Sequence, residues 1–323
     1  MEAFDLNLLP AWIVLAFGVI LGLLCGSFLN VVIYRLPLGL SLIRPGSQCP
    51  HCGTKIAPYD NVPVFGFLWL RGHSRCCKQK ISYRYPLVEL CGGLTGGAVV
   101  TMKLLPFADE LTLGHALLLF WVYLTLLLGL IAAAAIDFEH MILPDSITLG
   151  GIVLGLLSST LRSEVDVSSS LIGSAVGFIG LWFPFIWLHE KVRGFPGMGL
   201  GDAKLLALAG AWLGPIGALI TLFLGAVQGT IFAGISLLVV GRIEEPPAVT
   251  AQRNELLHAI EQAEGEEKEA LLRELAADPL GLPPEQAEGG PRVAFGPFLA
   301  LAVFELILFY EPVRDILYER LYL

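Results

Sequence analysis

"LGHALLLFWVYLTLLLGLIAAAAID" occupies residues 113–137. From Leu113 to Ile136 it contains no Asp, Glu, Lys or Arg, and it exceeds the ~20 apolar residues that carry a helix across a bilayer core. A backbone crosses hydrocarbon only when its own polar groups pair internally, so the stretch reads as a membrane helix. It ends on a carboxylate, Asp137, with no polar residue between. An ionised side chain at a membrane edge is costly and needs a reason.

The rest of the chain extends this reading. Of 323 residues, 55% are hydrophobic and 15% charged, with a mean hydropathy of +0.72; a soluble domain is closer to a quarter charged. The expected fold class is an all-α polytopic membrane protein. Its transmembrane helices, about eight in number, lie near 11–33, 87–105, 113–136, 146–161, 170–188, 203–216, 218–240 and 294–311. The first run lacks a basic start and a small-residue cleavage site, and so reads as a retained helix. Glycines at 92, 93, 96 and 97, and at 173, 177 and 180, suit close approach between membrane helices.

The loops set the organisation. Residues 35–86 hold Arg35, Arg44, Lys55, Arg71, Arg75, Lys78, Lys80 and Arg84 against one acid, Asp60. The positive-inside rule puts this loop in the cytoplasm, together with 137–145, 189–202 and 241–293. The expected units are a first transmembrane helix (1–34), a cytoplasmic cysteine loop (35–86), a transmembrane core (87–240), an acidic cytoplasmic insertion (241–293) and a last transmembrane helix with a tail (294–323). The insertion contains "RNELLHAIEQAEGEEKEALLRELAAD" (253–278), read as one or two solvated, weakly amphipathic helices, followed by the linker "DPLGLPPEQAEGGP" (278–291). The acids behind the net charge of −9 gather in this late segment, and no nucleic-acid partner is expected.

A second carboxylate stands at a helix doorway in "GMGLGDAKLL" (197–206), at Asp202. Two crossings separate it from Asp137. An even number returns the chain to the same face, so the two acids can meet at the cytoplasmic side. Two carboxyls that meet in a low-dielectric gap cannot both ionise and hold one proton between them. One can then deprotonate a water while the other protonates a carbonyl oxygen, which is aspartyl-protease chemistry. Gly197, Gly199 and Gly201 would let the backbone bend sharply and an extended peptide approach. Lys204 can tune local charge or simply flank the membrane. Read alone, Asp137 and Asp202 fit helix capping as well as they fit catalysis. Asp145 reads as a helix start after Pro144, and Glu139 and His140 as solvated loop residues. Glu89 is expected to face the bundle and help bind substrate or methyl donor, and Asn30 to bond between helices.

Seven stretches together carry a resemblance: "GSFLNVVIYRLP" (26–37), "CPHCGTKI" (49–56), "NVPVFGFLWLRG" (61–72), "ISYRYPLVEL" (81–90), "IDFEHMILPD" (136–145), "GMGLGDAKLLALAGAWLG" (197–214) and "FGPFLAL" (295–301). The chain resembles the type 4 prepilin peptidases, membrane aspartyl proteases of the GxGD class. The resemblance implies that Asp137 and Asp202 are the catalytic pair and that Asp145 is not. It implies a multi-pass protein of the bacterial cytoplasmic (inner) membrane with its active site facing the cytoplasm. Its substrates would be prepilins or pseudopilins, cut after a glycine to remove a short basic leader. Many members then N-methylate the new amino terminus with S-adenosylmethionine, and the cysteine loop is similar to that of the bifunctional kind. No S-adenosylmethionine ligand is assigned, because the sequence lacks a glycine-rich Rossmann fingerprint. A peptidase without methyltransferase activity is the nearest alternative. A proton- or cation-coupled transporter is the alternative from another class.

Cys49 and Cys52 form a CxxC knuckle, and a second thiol pair follows at Cys76 and Cys77. In a basic cytoplasmic loop this spacing reads as a structural zinc site. The family pattern puts a cysteine where Ser74 stands, so the fourth ligand is expected to be Cys76, with His73 as the alternative.

Overall fold

The computed structural model describes residues 5–162, 164–241, 245–277 and 293–321. Among these residues the chain forms helices and no strand, with three isolated β-bridges. In order they are α1 (Ala11–Arg35), α2 (Phe65–Trp69), α3 (Arg84–Val99), α4 (Leu113–His140), α5 (Asp145–Ser158), α6 (Val167–Leu181), α7 (His189–Arg193), α8 (Leu200–Val239), α9 (Pro247–Gln262), α10 (Gly265–Ala277) and α11 (Gly296–Leu321). Wider π-type turns extend α3 through Val100–Leu104 and join α6 to α7 through Trp182–Leu188. Five helical segments are long and apolar enough to cross a membrane, and Asp145–Ser158 and Gly296–Phe309 are shorter apolar helices. The expected helices in the insertion correspond to α9 and α10; the linker 278–291 lies outside the described residues.

Helix α4 runs through the centre, with Leu124, Leu127, Leu130 and Ile136 fully buried, as are Leu205, Leu206, Leu208 and Trp212 of α8. Lipid tails are as apolar as leucine, so what holds such helices together is close packing and hydrogen bonding. Helices α1 and α3 supply the packing. Gly18, Gly22 and Gly26 lie against Gly96, Gly92 and the backbone of Glu89, where any Cβ would strike the neighbouring chain. Asn30 donates to the Tyr85 carbonyl across the same pair, at 3.2 Å. Helices α6 and α8 repeat the device through Gly173, Gly177 and Gly210, whereas Gly180 faces open space.

The sequence reading gives two helices, 203–216 and 218–240. The structure has two helices here as well, within the span numbered α8, and sets the break between them at Gly214 (φ 73°, ψ −177°), before Pro215. Proline lacks an N–H and clashes with the preceding turn, so glycine there takes the turn and the ladder opens. The freed carbonyls are satisfied by side chains. Arg162 donates to Trp212 O at 3.0 Å and to Ala211 O at 3.5 Å, and Ser170 Oγ donates to Ala211 O at 2.5 Å. The same guanidinium reaches Gly155 O at the end of α5 and lies 4.3 Å above the Trp212 ring. One buried arginine therefore closes two helix ends. Because of the break, both ends of α8 return to the end of α4. Leu143 packs beside Gly201 at one end, and Phe138 meets Phe232 near the other, ring centroids 6.1 Å apart.

Candidate active site

Asp137 sits in the last turn of α4, buried, and Met141 ends the helix in the left-handed region (φ 54°) with its N–H on the Asp137 carbonyl at 2.8 Å. The Asp137 carboxylate accepts the backbone N–H of Gly296, the first residue of α11. A Cβ on Gly296 would lie 2.6 Å from Asp137 Oδ2, so the contact requires glycine. Sequence reasoning quoted "FGPFLAL" without giving Gly296 a role.

Asp202 occupies the third position of α8, whose N-cap is Gly199. Its carboxylate reaches back to the Gly199 N–H, while its own N–H donates to the Gly199 carbonyl at 3.2 Å. This is the acidic half of a capping box, at the helix end where a negative charge is favoured. The glycines beside the two acids, Gly296 against Asp137 and Gly201 next to Asp202, both pack on Leu143. A Cβ at Gly201 would meet Leu143 Cβ at 2.9 Å, and one at Gly296 would meet Leu143 Cδ1 at 3.0 Å. The pair lies close enough for the charge of Asp137 to act on Asp202.

Gly197, Gly199 and Gly201 lead into and open α8, and the backbone bends at Gly197 and Met198. None adopts a left-handed backbone. Gly201 makes room for Leu143, and a Cβ on Gly197 would press on the His189 ring at 3.1 Å. Lys204 holds Asp145 at 2.6 Å. Both Glu89 oxygens are engaged within the chain: Ser27 Oγ donates to one at 2.8 Å and the Val64 N–H to the other at 2.7 Å. Glu89 thus ties the cysteine loop to α1 and α3.

In the cysteine loop, Cys49, Cys52, Cys76 and Cys77 bring their sulfurs within 4.8 Å of one another. Cys49 and Cys77 are 3.7 Å apart, and Cys52 and Cys76 are 3.3 Å apart. Tetrahedral thiolate coordination at bond lengths near 2.3 Å sets sulfur–sulfur edges of about 3.8 Å, so the four could hold one metal ion. Two matching turns build the cluster. Gly53 N–H closes on Cys49 O at 2.9 Å with φ 70°, and Lys78 N–H closes on Ser74 O at 3.0 Å with φ 59°. Ser74 therefore stands in the register of Cys49, and Cys76, in the register of His51, supplies the fourth sulfur. His73 is not in the group; its Nδ1 bonds to the Arg71 carbonyl at 2.9 Å. Hydrogen bonds with Thr54 push the Cys52 thiol down to about 6, and sharing with Cys52 pushes Cys76 up to about 11.

Comparison with known proteins gives this geometry a context. Residues 20–103 match the bacterial peptidase A24 N-terminal domain, and residues 124–234 match the type IV leader peptidase family. A prepilin leader peptidase/N-methyltransferase of Stutzerimonas stutzeri is 39% identical over 241 residues, 66% of this chain and 79% of the relative. The protein of the same name from Pectobacterium carotovorum subsp. carotovorum is 41% identical over 230 residues, 64% and 77% of the two chains. No solved structure matches the chain. With its all-helical, membrane-spanning architecture, this chain belongs to the type IV leader peptidase family.

Proposed function

We propose that this chain is an aspartyl endopeptidase that removes the leader of type 4 prepilins and pseudopilins after a glycine, and then N-methylates the new amino terminus with S-adenosylmethionine. It works in the bacterial inner membrane with its site facing the cytoplasm, the side to which the basic loop assigns both acids. The observation that carries the reading is that Asp137, at the end of one helix, and Asp202, at the start of another, lie close enough for their charges to interact, with Gly296 and Gly201 beside them both packed on Leu143. Sharing one proton, the pair activates a water with one carboxylate and protonates the scissile carbonyl with the other. The Gly296 N–H fixes the orientation of Asp137. Cys49, Cys52, Cys76 and Cys77 hold a structural zinc ion, which supplies folding energy to a loop with little core of its own. The methyl donor supplies an electrophilic methyl group when bound.

A transporter would leave unwound carbonyls open to an ion near mid-membrane. Here the break in α8 is filled by Arg162 and Ser170, about 18 Å along the helix from Asp202 at 1.5 Å per residue. Mass spectrometry of a prepilin co-expressed with this protein tests the proposal. The expected product lacks its leader and carries one added methyl group at the amino terminus. An intact leader would sink the reading, and a cleaved but unmethylated product would remove the second activity.

A further inference from the structure

We propose that the methyl donor binds in the cavity bounded by the ends of α1, α4 and α8 and the starts of α3, α9 and α11, with Phe138, the chain neighbour of Asp137, in its wall. The inference rests on the bifunctional reading above. The cavity has a volume of about 720 Å³, and Tyr34, Arg84, Phe138, Glu139, Phe232 and Phe298 are among the side chains that line it. That volume lies within the range of small-molecule sites.

The lining offers aromatic rings and an ion pair, which suit the purine, the sulfonium and the amino-acid end of S-adenosylmethionine. Phe138, Phe232 and Phe298 form a chain of rings, with centroids 6.1 and 5.2 Å apart. Yet Phe138 is 54% exposed and Phe232 39%, so ring surface remains for a purine to stack on. Aromatic faces also attract a cation such as a sulfonium. Arg84 and Glu139 pair across the wall at 2.8 Å, each more than a third exposed. A carboxylate and an ammonium carried on one amino-acid moiety can take over these two charges. The sequence reading left Glu139 as a solvated loop residue; its place in this wall gives it a task.

The cavity also lies where the transfer has to occur. Helix α4 turns Asp137 toward Gly296 and presents the next residue, Phe138, to the cavity. Helix α11 gives its Gly296 N–H to Asp137 and Phe298 to the cavity. Cleavage leaves a new amine at Asp137, whose chain neighbour Phe138 lines the cavity. The neutral amine forms a bond to the methyl carbon with its lone pair. The carbon–sulfur bond breaks with its electrons going to sulfur, the thioether S-adenosylhomocysteine departs, and the methylated ammonium gives one proton to water.

The test uses the full-length protein in detergent micelles. Ultraviolet cross-linking of methyl-labelled S-adenosylmethionine, followed by peptide mapping, should label the peptides that hold residues 138–141 or 232–236. Calorimetric titration with S-adenosylhomocysteine should show binding weakened about tenfold in Phe232→Ala and in Arg84→Gln, the scale of losing one stacked ring or one charge-assisted contact. Label confined to the cysteine loop would overturn the proposal, as would wild-type affinity in both variants once melting curves show them folded. A raised prepilin KM for cleavage with unchanged S-adenosylhomocysteine binding would mark the cavity as a peptide groove instead. If neither variant folds, the cross-link map of the wild-type protein decides alone. If the wild-type protein binds no S-adenosylhomocysteine, the methyltransferase reading fails along with the site.

Discussion

Helix α4 carries one acid of the candidate pair and touches another acid of opposite character. Near its start, Tyr123 donates to Glu164 Oε1 at 2.6 Å, and Lys103 Nζ approaches the same oxygen at 3.0 Å. The Lys103 and Glu164 side chains are 3% and 10% exposed. About 21 Å along the same helix, at 1.5 Å per residue, Asp137 is buried too, with the Gly296 amide on its carboxylate and a second carboxylate as its charged neighbour. A buried acid that serves only structure is neutralised by a cation and satisfied by hydrogen bonds. An acid kept next to another acid is held at a cost, and that cost makes a shared proton available for chemistry.

The largest test of this contrast is to remove the charge at each place. Asp137→Asn or Asp202→Asn should lower leader cleavage by about 10²–10⁴-fold, the range for a lost general acid or base, while the melting temperature in micelles holds or rises. Cleavage at the wild-type rate in either variant would exclude that residue from the pair. Glu164→Gln should do the reverse, costing stability with cleavage per folded molecule unchanged. Lys103→Met leaves a buried carboxylate without its cation and should destabilise by about 3–5 kcal/mol. Combining it with Glu164→Gln should recover part of the loss. If the double variant is no more stable than Lys103→Met alone, the two side chains do not act as a pair.

The two acids stood out before the fold by counting: the sequence reading expects two crossings between Asp137 and Asp202, an even number that puts both on one face. The break in α8 was half legible. Gly214-Pro215 is a strong local stop signal, yet the sequence reading carried the first helix through it to 216 and set the gap at 217, where the structure breaks at Gly214. The Lys103–Glu164 pair was not legible, since its partners come from a helix end and a loop brought together by packing alone. Gly296 was hidden for another reason. A glycine shows no chemistry in a sequence, and its value here is the space it leaves beside Asp137.

That space supports a sharper test. Gly296→Ala places a methyl group 2.6 Å from where Asp137 Oδ2 now lies, so the carboxylate must shift. Misplacement of a reacting group by about 1 Å can cost on the order of 10²-fold. Prepilin cleavage should fall on that scale in kcat, with zinc content unchanged; wild-type turnover would show that the amide does not orient the acid. The cysteine loop offers a test that leaves the acids alone. Cys76→Ser should lower bound zinc well below that of the wild-type protein, measured by elemental analysis, while His73→Ala should retain it. Full metal in Cys76→Ser would mean that the knuckle shifts register to recruit another ligand.

The smallest expected effect belongs to the third acid of the same mouth. Asp145 begins α5 only a few residues beyond Asp137, but its side chain is 60% exposed and pairs with Lys204 at 2.6 Å. An exposed ion pair gains little, because water screens both charges and two side chains must be held in place. Asp145→Asn should therefore change stability by about 1 kcal/mol or less and leave cleavage within a few-fold of wild type. It keeps the helix-start position and removes only the charge. A loss of cleavage as large as that of Asp202→Asn would show that nearness to the mouth, and not the absence of a cation, is what makes an acid reactive here.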